Sequence, residues 1–288
     1  MTKETPASTS RARFVRRFLQ NPLSLVGAMI VGGVIVLALF APWIAPYPED
    51  AGASVHFDRA LQPPNSAHWF GTDEVGRDIF TRVLFAARPA LVFVVVVLAL
   101  ALGIGVPTGL VAGYRPDSIL GRVILRVTDI FLAVPPLALA LAFTVALQPN
   151  LLTAMVAVSF AWWPWYTRLV YGEVLRIRKE PFVEAAVALG QKDSLIMLRH
   201  ILPNVVSPVL VKATLDVSFI ILLGSSLSFL GIGAQEPTPD WGAMVARGRL
   251  YLPEAWWLTT MPGMAIFVTV IGFNLLGDAL RDALDVRQ

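Results

Sequence analysis

The sequence predicts an all-α, polytopic membrane protein with six transmembrane helices. Of its 288 residues 56% are hydrophobic and 15% charged, against roughly 25% charged in an ordinary soluble domain. The apolar residues are gathered into uncharged blocks of the roughly 20 residues that a helix needs to cross a hydrocarbon core about 30 Å thick. Charged loops and proline-rich turn signals separate the blocks. So little charge cannot cover a water-facing surface of this size.

Residues 1–20 are polar and carry a basic cluster, Arg11, Arg13, Arg16 and Arg17. The first span follows at residues 21–46. Its apolar part, Leu23 to Ile44, exceeds the roughly 7–15 residues of a signal-peptide core, and Pro42, Pro46 and Pro48 do not resemble a small-residue cleavage site. Residues 47–88 form a polar segment outside the membrane. Within it Gly71 to Ala87 reads as an amphipathic interfacial helix, capped by Thr72 or Asp73. Ile79, Phe80, Val83, Leu84 and Ala87 share one face, and Asp78 and Arg82 form a surface pair.

The remaining residues, 89–288, hold five further helices. Span two is Pro89 to Tyr114, followed by a short charged loop with Arg115, Asp117, Arg122, Arg126 and Asp129. The uncharged stretch from Ile130 to Thr167 is too long for one crossing. Gln148, Pro149 and Asn150 divide it into spans three and four. Span five lies at about Ala213 to Gly233 and span six at Ala255 to Gly277.

Positively charged loops are retained in the cytoplasm. With the N-terminus inside, the inner segments hold sixteen Lys and Arg and the outer ones six, with Lys212 at a boundary. Both termini are therefore expected to be cytoplasmic.

Several chemistries lack residues to perform them. The 23 Lys and Arg are scattered between apolar blocks, unlike the basic face of a nucleic-acid-binding protein. There is no Cys, and His56, His68 and His200 are far apart in sequence, so no metal site is expected. None of Lys3, Lys179, Lys192 or Lys212 follows a glycine, so the chain has no Walker A loop. It reads as a non-enzyme without a cofactor of its own.

Polar residues in the spans have two readings. Asp216 is either functional or near enough to the span's end to reach the interface. Ser225, Ser226 and Ser228 either line a translocation path or bond neighbouring helices. Trp162, Trp163 and Trp165 fit packing or interface anchoring, and Gly103, Gly105, Gly109 and Gly113 fit close helix packing.

The loop between spans four and five, residues 171–208, contains PFVEAAVALGQKDSLIMLRHILPN. Pro181 is placed to open a helix, Glu184 suits its positive end, and Gly190 can close it in the left-handed conformation. Phe182, Ala185, Ala186 and Leu189 then make an apolar face with no membrane to bury it. A second helix follows to about Leu202, where Pro203 is expected to interrupt it. A helix, a tight turn and a helix, held at both ends by spans, suit docking of a soluble motor.

The pattern Glu184-Ala185-Ala186, Gly190 and Leu202-Pro203 resembles the EAA loop of permease subunits of ABC importers, with His200 where that loop usually has isoleucine. GTDEVGRDIFTRVL (Gly71 to Leu84), LSFLGIGAQEPTPDWGAM (Leu227 to Met244) and FNLLGDALRDALD (Phe273 to Asp285) are similar to segments of the C-type permease of the dipeptide, oligopeptide and nickel branch. Gly224 stands where many members have glutamate.

The resemblance implies the type I ABC importer permease fold in a bacterial inner membrane. It implies coupling to ATP-binding subunits through Glu184, Ala185, Ala186, Leu189, Gly190, Leu202 and Pro203. Asp216, Ser225 and Ser226 are the candidates for the translocation path. The implied partners are a second, B-type permease, two ATP-binding subunits that bind ATP and Mg, an extracytoplasmic substrate-binding protein and the lipid bilayer. The implied cargo is a dipeptide, oligopeptide, nickel chelate or glutathione. The competing expectation is a self-sufficient channel or ion-coupled secondary transporter, which would typically carry intramembrane charge and often internal repeats.

Overall fold

The computed structural model describes residues 18–284, so the basic cluster at Arg11 to Arg17 lies outside the described residues. The described residues form ten α-helices joined by short 3-10 turns, one π-helical stretch and loops, with no β-strand beyond the single bridge between Thr72 and Asp78. The helices are α1 (Pro22–Ile44), α2 (Ile79–Tyr114), α3 (Ile119–Leu132), α4 (Pro136–Ala146), α5 (Leu151–Ile177), α6 (Pro181–Ala188), α7 (Asp193–Ile196), α8 (Leu202–Phe229), α9 (Trp241–Gly248) and α10 (Trp257–Leu284).

Among the described residues four helices are long and apolar enough to cross a membrane: α1, α2, the continuous run Asp193–Phe229 that ends in α8, and α10. The third expected span is not straight. Helices α3 and α4 meet at 91° across a short break, because Pro135 and Pro136 deny helical donors and force the residues before them out of the α region. The charged stretch expected as a loop is accordingly helical, with the Ser118 hydroxyl accepting from Gly121 N at the start of α3. The fourth expected span is α5, 27 residues long. Between α4 and α5 the predicted turn is present, with Gln148 at φ +73°.

The chain divides into two compact units. One comprises the residues up to Val94, Pro149–Leu151 and the residues from Thr214 onward; the other comprises Val95–Gln148 and Leu152–Ala213. In the first unit α1 packs on α10, and a Cβ at Gly27 or Gly272 would lie within 2.7 Å of Leu276 N or 2.4 Å of Ile30. In the second unit Gly105, Gly109 and Gly113, one turn apart on α2, lie against Tyr166, Val170 and Val174 of α5, where added Cβ atoms would come within 2.6–2.7 Å. The Thr108 and Thr167 hydroxyls bond across this seam at 2.8 Å. The glycine series is thus helix packing, as expected, except that Gly103 faces open space.

The amphipathic helix expected from Gly71 does not stand alone. Residues 71–78 form a tight turn in which Gly76 adopts φ +82° and its N–H donates to the Asp73 carbonyl. The helix begins at Ile79 and runs without a break through span two. Neither Thr72 nor Asp73 caps it. Asp78 does, accepting from Thr81 N at 2.7 Å. Asp78 is fully buried against His68 and Arg82 is 2% exposed, so the two are not a surface pair.

Pro42 sits inside α1, so no backbone N–H reaches the Ala38 carbonyl. Arg88 of α2 supplies the missing donor: its Nε donates to Ala38 O and its Nη2 to Leu39 O at 2.8 Å. Replacing Arg88 with Leu leaves a carbonyl unpaired in an apolar setting and is expected to cost about 1–3 kcal/mol. Pro42→Ala restores a backbone donor to Ala38, so the double variant recovers part of that loss. Denaturation midpoints in detergent for the four members of this cycle check the expectation.

Candidate functional site

The second unit carries the loop that the sequence singled out. Pro181 occupies the first turn of α6, where its missing N–H costs nothing, and Glu184 adds a carboxylate to the same turn. At the other end Gly190 adopts φ +72°. Gly190 N donates to Val187 O at 2.9 Å and Gln191 N to Ala186 O at 3.2 Å, the paired bonds of a Schellman ending.

Only two side chains of α6 point inward, Val183 and Ala186. Of the four residues expected on one apolar face, Ala186 is buried and Phe182, Ala185 and Leu189 are exposed, Leu189 by 80%. Val187 and Glu184 are exposed beside them. The helix therefore offers outward an apolar strip with one carboxylate at its positive end.

Helix α6 packs on α7 and on the π-helical stretch Met197–Ile201. Pro203 does not interrupt the second helix. It follows a widened turn in which Leu202 N reaches back five residues to Met197 O, and α8 continues to Phe229. The π turn absorbs the proline, whose ring would clash with a carbonyl four residues earlier in a regular helix. His200 Nε2 lies 3.0 Å from Gln191 Oε1, and Asn204 Nδ2 donates to His200 O at 2.7 Å. The residue that departs from the family pattern thus ties the turn to the second helix.

The loop is anchored to the end of α2. Asp193 accepts from the Tyr114 hydroxyl at 3.0 Å and from Arg115, while Arg178 Nη1 donates to Tyr114 O at 3.2 Å. Ile177, Val183, Ala186, Ile196, Ile201 and Val205 are among the buried apolar residues of these elements.

In the first unit Asp216 is buried within α8 at 3% exposure. Ser226 donates to Leu222 O at 2.7 Å, and Ser228 accepts from Ala234 N at 3.2 Å. The Ser225 carbonyl lies under Gly242, where a Cβ would come within 2.1 Å. The Ser226 and Ser228 hydroxyls thus bond nearby backbone. Gly224 lies against Phe93, whose ring a Cβ would meet at 2.9 Å. Of the tryptophans, Trp162 and Trp163 are buried, Trp163 edge-on to Phe131 at 5.5 Å, while Trp165 is exposed beside Lys212.

The first unit also holds a polar cluster whose members are far apart in sequence. The Glu236 carboxylate receives Arg77 Nη1 at 2.7 Å, Arg82 Nη2 at 3.0 Å and Arg247 Nη2 at 2.7 Å. Arg77 also bonds Asp73 at 2.7 Å. Burial raises the pKa of Glu236, but Arg82, Arg77 and Arg247 outweigh it and hold the carboxyl below its ordinary range. Burial likewise opposes the charge of Arg77, and Asp73 and Glu236 overcome it. Asp240, which caps α9 through Ala243 N, is pushed up by burial.

Residues 105–288, well over half the chain, match the family described as the binding-protein-dependent transport system inner membrane component. The chain belongs to this family. Residues 10–64 match the N-terminal transmembrane domain of oligopeptide transport permease C. The probable D,D-dipeptide transport system permease protein DdpC of Escherichia coli K12 is 40% identical over 278 residues, covering 95% of this chain and 91% of that protein. The dipeptide transport system permease protein DppC of Alkalihalophilus pseudofirmus is 41% identical, covering 99% and 92%. The glutathione transport system permease protein GsiD of Escherichia coli O157:H7 is 41% identical, covering 99% and 93%.

A solved chain of the inward-facing MetNI methionine ABC transporter superposes with a TM-score of 0.59 at 18% identity, over 71% of this chain and 97% of that one. This likeness concerns the fold, which is that of a type I ABC importer permease. The permease is a multi-pass membrane protein. In the sequence, DEVG at Asp73 to Gly76 signals the turn that holds Arg77, but not its meeting with Glu236.

A Cβ at Gly190 would meet nothing within 4 Å, so Gly190→Ala tests the backbone alone. Its left-handed φ is expected to cost about 1–2 kcal/mol. Hydrogen exchange at Gln191 and its neighbours should quicken by about tenfold, with α2 and α5 unaffected.

Proposed function

We propose that this permease is the C-type subunit of an ATP-driven importer of di- or oligopeptides or a related small solute. The observation that carries the reading is the 40–41% identity, over nearly the whole chain, with permeases named for D,D-dipeptide, dipeptide and glutathione transport. The subunit pairs with a B-type permease to form the translocation path, for which Asp216, Ser225 and Ser226 are the candidate residues. Two separate ATP-binding subunits bind ATP and Mg, so this chain performs no hydrolysis. A binding protein delivers the solute on the outer side. Both termini lie in the cytoplasm of a bacterial inner membrane, on the Lys and Arg distribution described above.

Coupling runs through Glu184, Ala185, Ala186, Leu189, Gly190, Leu202 and Pro203. The exposed strip of Phe182, Ala185 and Leu189 gives an ATP-binding subunit a surface to bury, and small Ala185 lets its backbone approach closely. ATP binding draws the two ATP-binding subunits together, and α6 follows. Because α6 packs on α7 and the π turn, and that run continues as α8, its displacement reaches a membrane-spanning helix without a flexible joint. Alternating access follows, and hydrolysis resets the inward-facing state.

Leu189→Asp and Phe182→Asp place a charge on this strip without removing a buried side chain. Purification from native membranes is expected to bring down an ATP-binding protein with the wild-type chain and at least tenfold less with either variant, at equal membrane insertion. Peptide uptake should fall in parallel. A wild-type chain that brings down no ATP-binding protein in mild detergent would overturn the reading.

A further inference from the structure

Glu236 is an unusual plug. It stands on an exposed loop, residues 235–238, while two of its three arginine partners are almost wholly buried: Arg77 at 5% and Arg82 at 2% exposure. Asp73 is shared with Arg77 at 2.7 Å and lies 3.9 Å from Arg82; Glu74 reaches Arg247 at 3.6 Å. Glu236 is thus the one carboxylate that all three guanidinium groups grip, and both its oxygens are engaged.

A cavity of about 20 Å³, large enough for a single water, lies beside it among Asp73, Glu74, Arg77, Arg82 and Arg247. Glu236 is one of its walls, and Arg77 and Arg82 are also held from elsewhere. Asp73 fixes Arg77 through a turn of its own chain, accepting from Arg77 N at 2.8 Å, and the Asp50 carbonyl accepts from Arg82 Nη1 at 3.2 Å. The cradle is built by residues 50–82 and α9; its occupant comes from the loop before α9.

We propose that Arg77, Arg82 and Arg247 form a carboxylate-binding site, closed in this structure by Glu236, that accepts the C-terminal carboxylate of a peptide when the 235–238 loop swings out. Guanidinium forks match a carboxylate and hold it better than a point charge would. A carboxylate is also what separates a free peptide from an amide of equal size. Glu236 competes at the high effective concentration of a tethered group, so the site is weak while the loop is closed. This assignment rests on the peptide-importer reading.

The test uses the complex as purified, in nanodiscs, with Ala-Ala, Ala-Ala amide and sodium chloride at matched ionic strength. Glu236→Ala removes the plug and leaves room for a ligand. Its Tm should fall, and Ala-Ala should restore it while the amide and chloride do not. Titration calorimetry should show Ala-Ala bound at least tenfold more tightly by Glu236→Ala than by wild type. Arg247→Gln, at the rim, should reverse that gain.

If Glu236→Ala does not fold, Glu236→Gln keeps the volume and should show the same gain. No gain in either, an equal response to the amide, or a gain that survives Arg247→Gln overturns the proposal. So does rescue by a purified substrate-binding protein with Ala-Ala inert, which would assign the cradle to a protein carboxylate. Co-purification of an ATP-binding protein reads the importer assignment separately, so the two can fail independently.

Discussion

Inside a bilayer a carbonyl that loses its helical donor has no water to turn to, and this permease places prolines inside each of its long described helices, at Pro42, Pro89, Pro107, Pro164, Pro208 and Pro262. The structure around them is shaped by that debt. Arg88 reaches across from α2 to the Ala38 carbonyl freed by Pro42, and the π turn opens ahead of Pro203. Hydroxyls within the spans turn back to the carbonyl four residues earlier, as Thr144, Ser159, Ser226 and Thr269 do. Most of the polar side chains that look functional in a hydrophobic sequence are thus already committed to backbone.

Charge obeys the same rule more strictly. A buried guanidinium persists only where carboxylates and carbonyls surround it, and the turn at residues 71–78 provides that for Arg77 and Arg82 before any partner protein arrives. Glu236 completes it from more than 150 positions away. Where charges are exposed instead, as at Arg176 with Glu173, the contact is an ordinary i,i+3 pair on a helix face and contributes little.

This division explains what the sequence revealed. The turn at Gln148 to Asn150, the opening of α6 at Pro181 and its closure at Gly190 are local, set by residue type within one or two turns, and were legible, whereas the helices of spans two and five begin earlier than the uncharged blocks suggest. The right angle between α3 and α4 was signalled by Pro135-Pro136, but a hydropathy pattern averages over it. The helical continuation past Pro203 was hidden because a π turn leaves no mark on composition. The Glu236 cluster was hidden for a different reason: nothing in a sequence says which of 23 cationic side chains will meet a given carboxylate. Gly224 and His200, departures from the family pattern, gained a meaning only when Phe93 and Gln191 appeared beside them.

The widened turn at Met197–Ile201 also acts as a phase marker. Each residue advances a helix by about 100°, and one residue more in a turn is one such step taken without adding a full turn. The exposed Leu195 before it and the buried Val205 and Val209 after it therefore belong to two different helical registers within one continuous run. Removing a single residue here would turn α8 by about 100° relative to α6 and α7, so the length of this short stretch sets which side chains of α8 are buried.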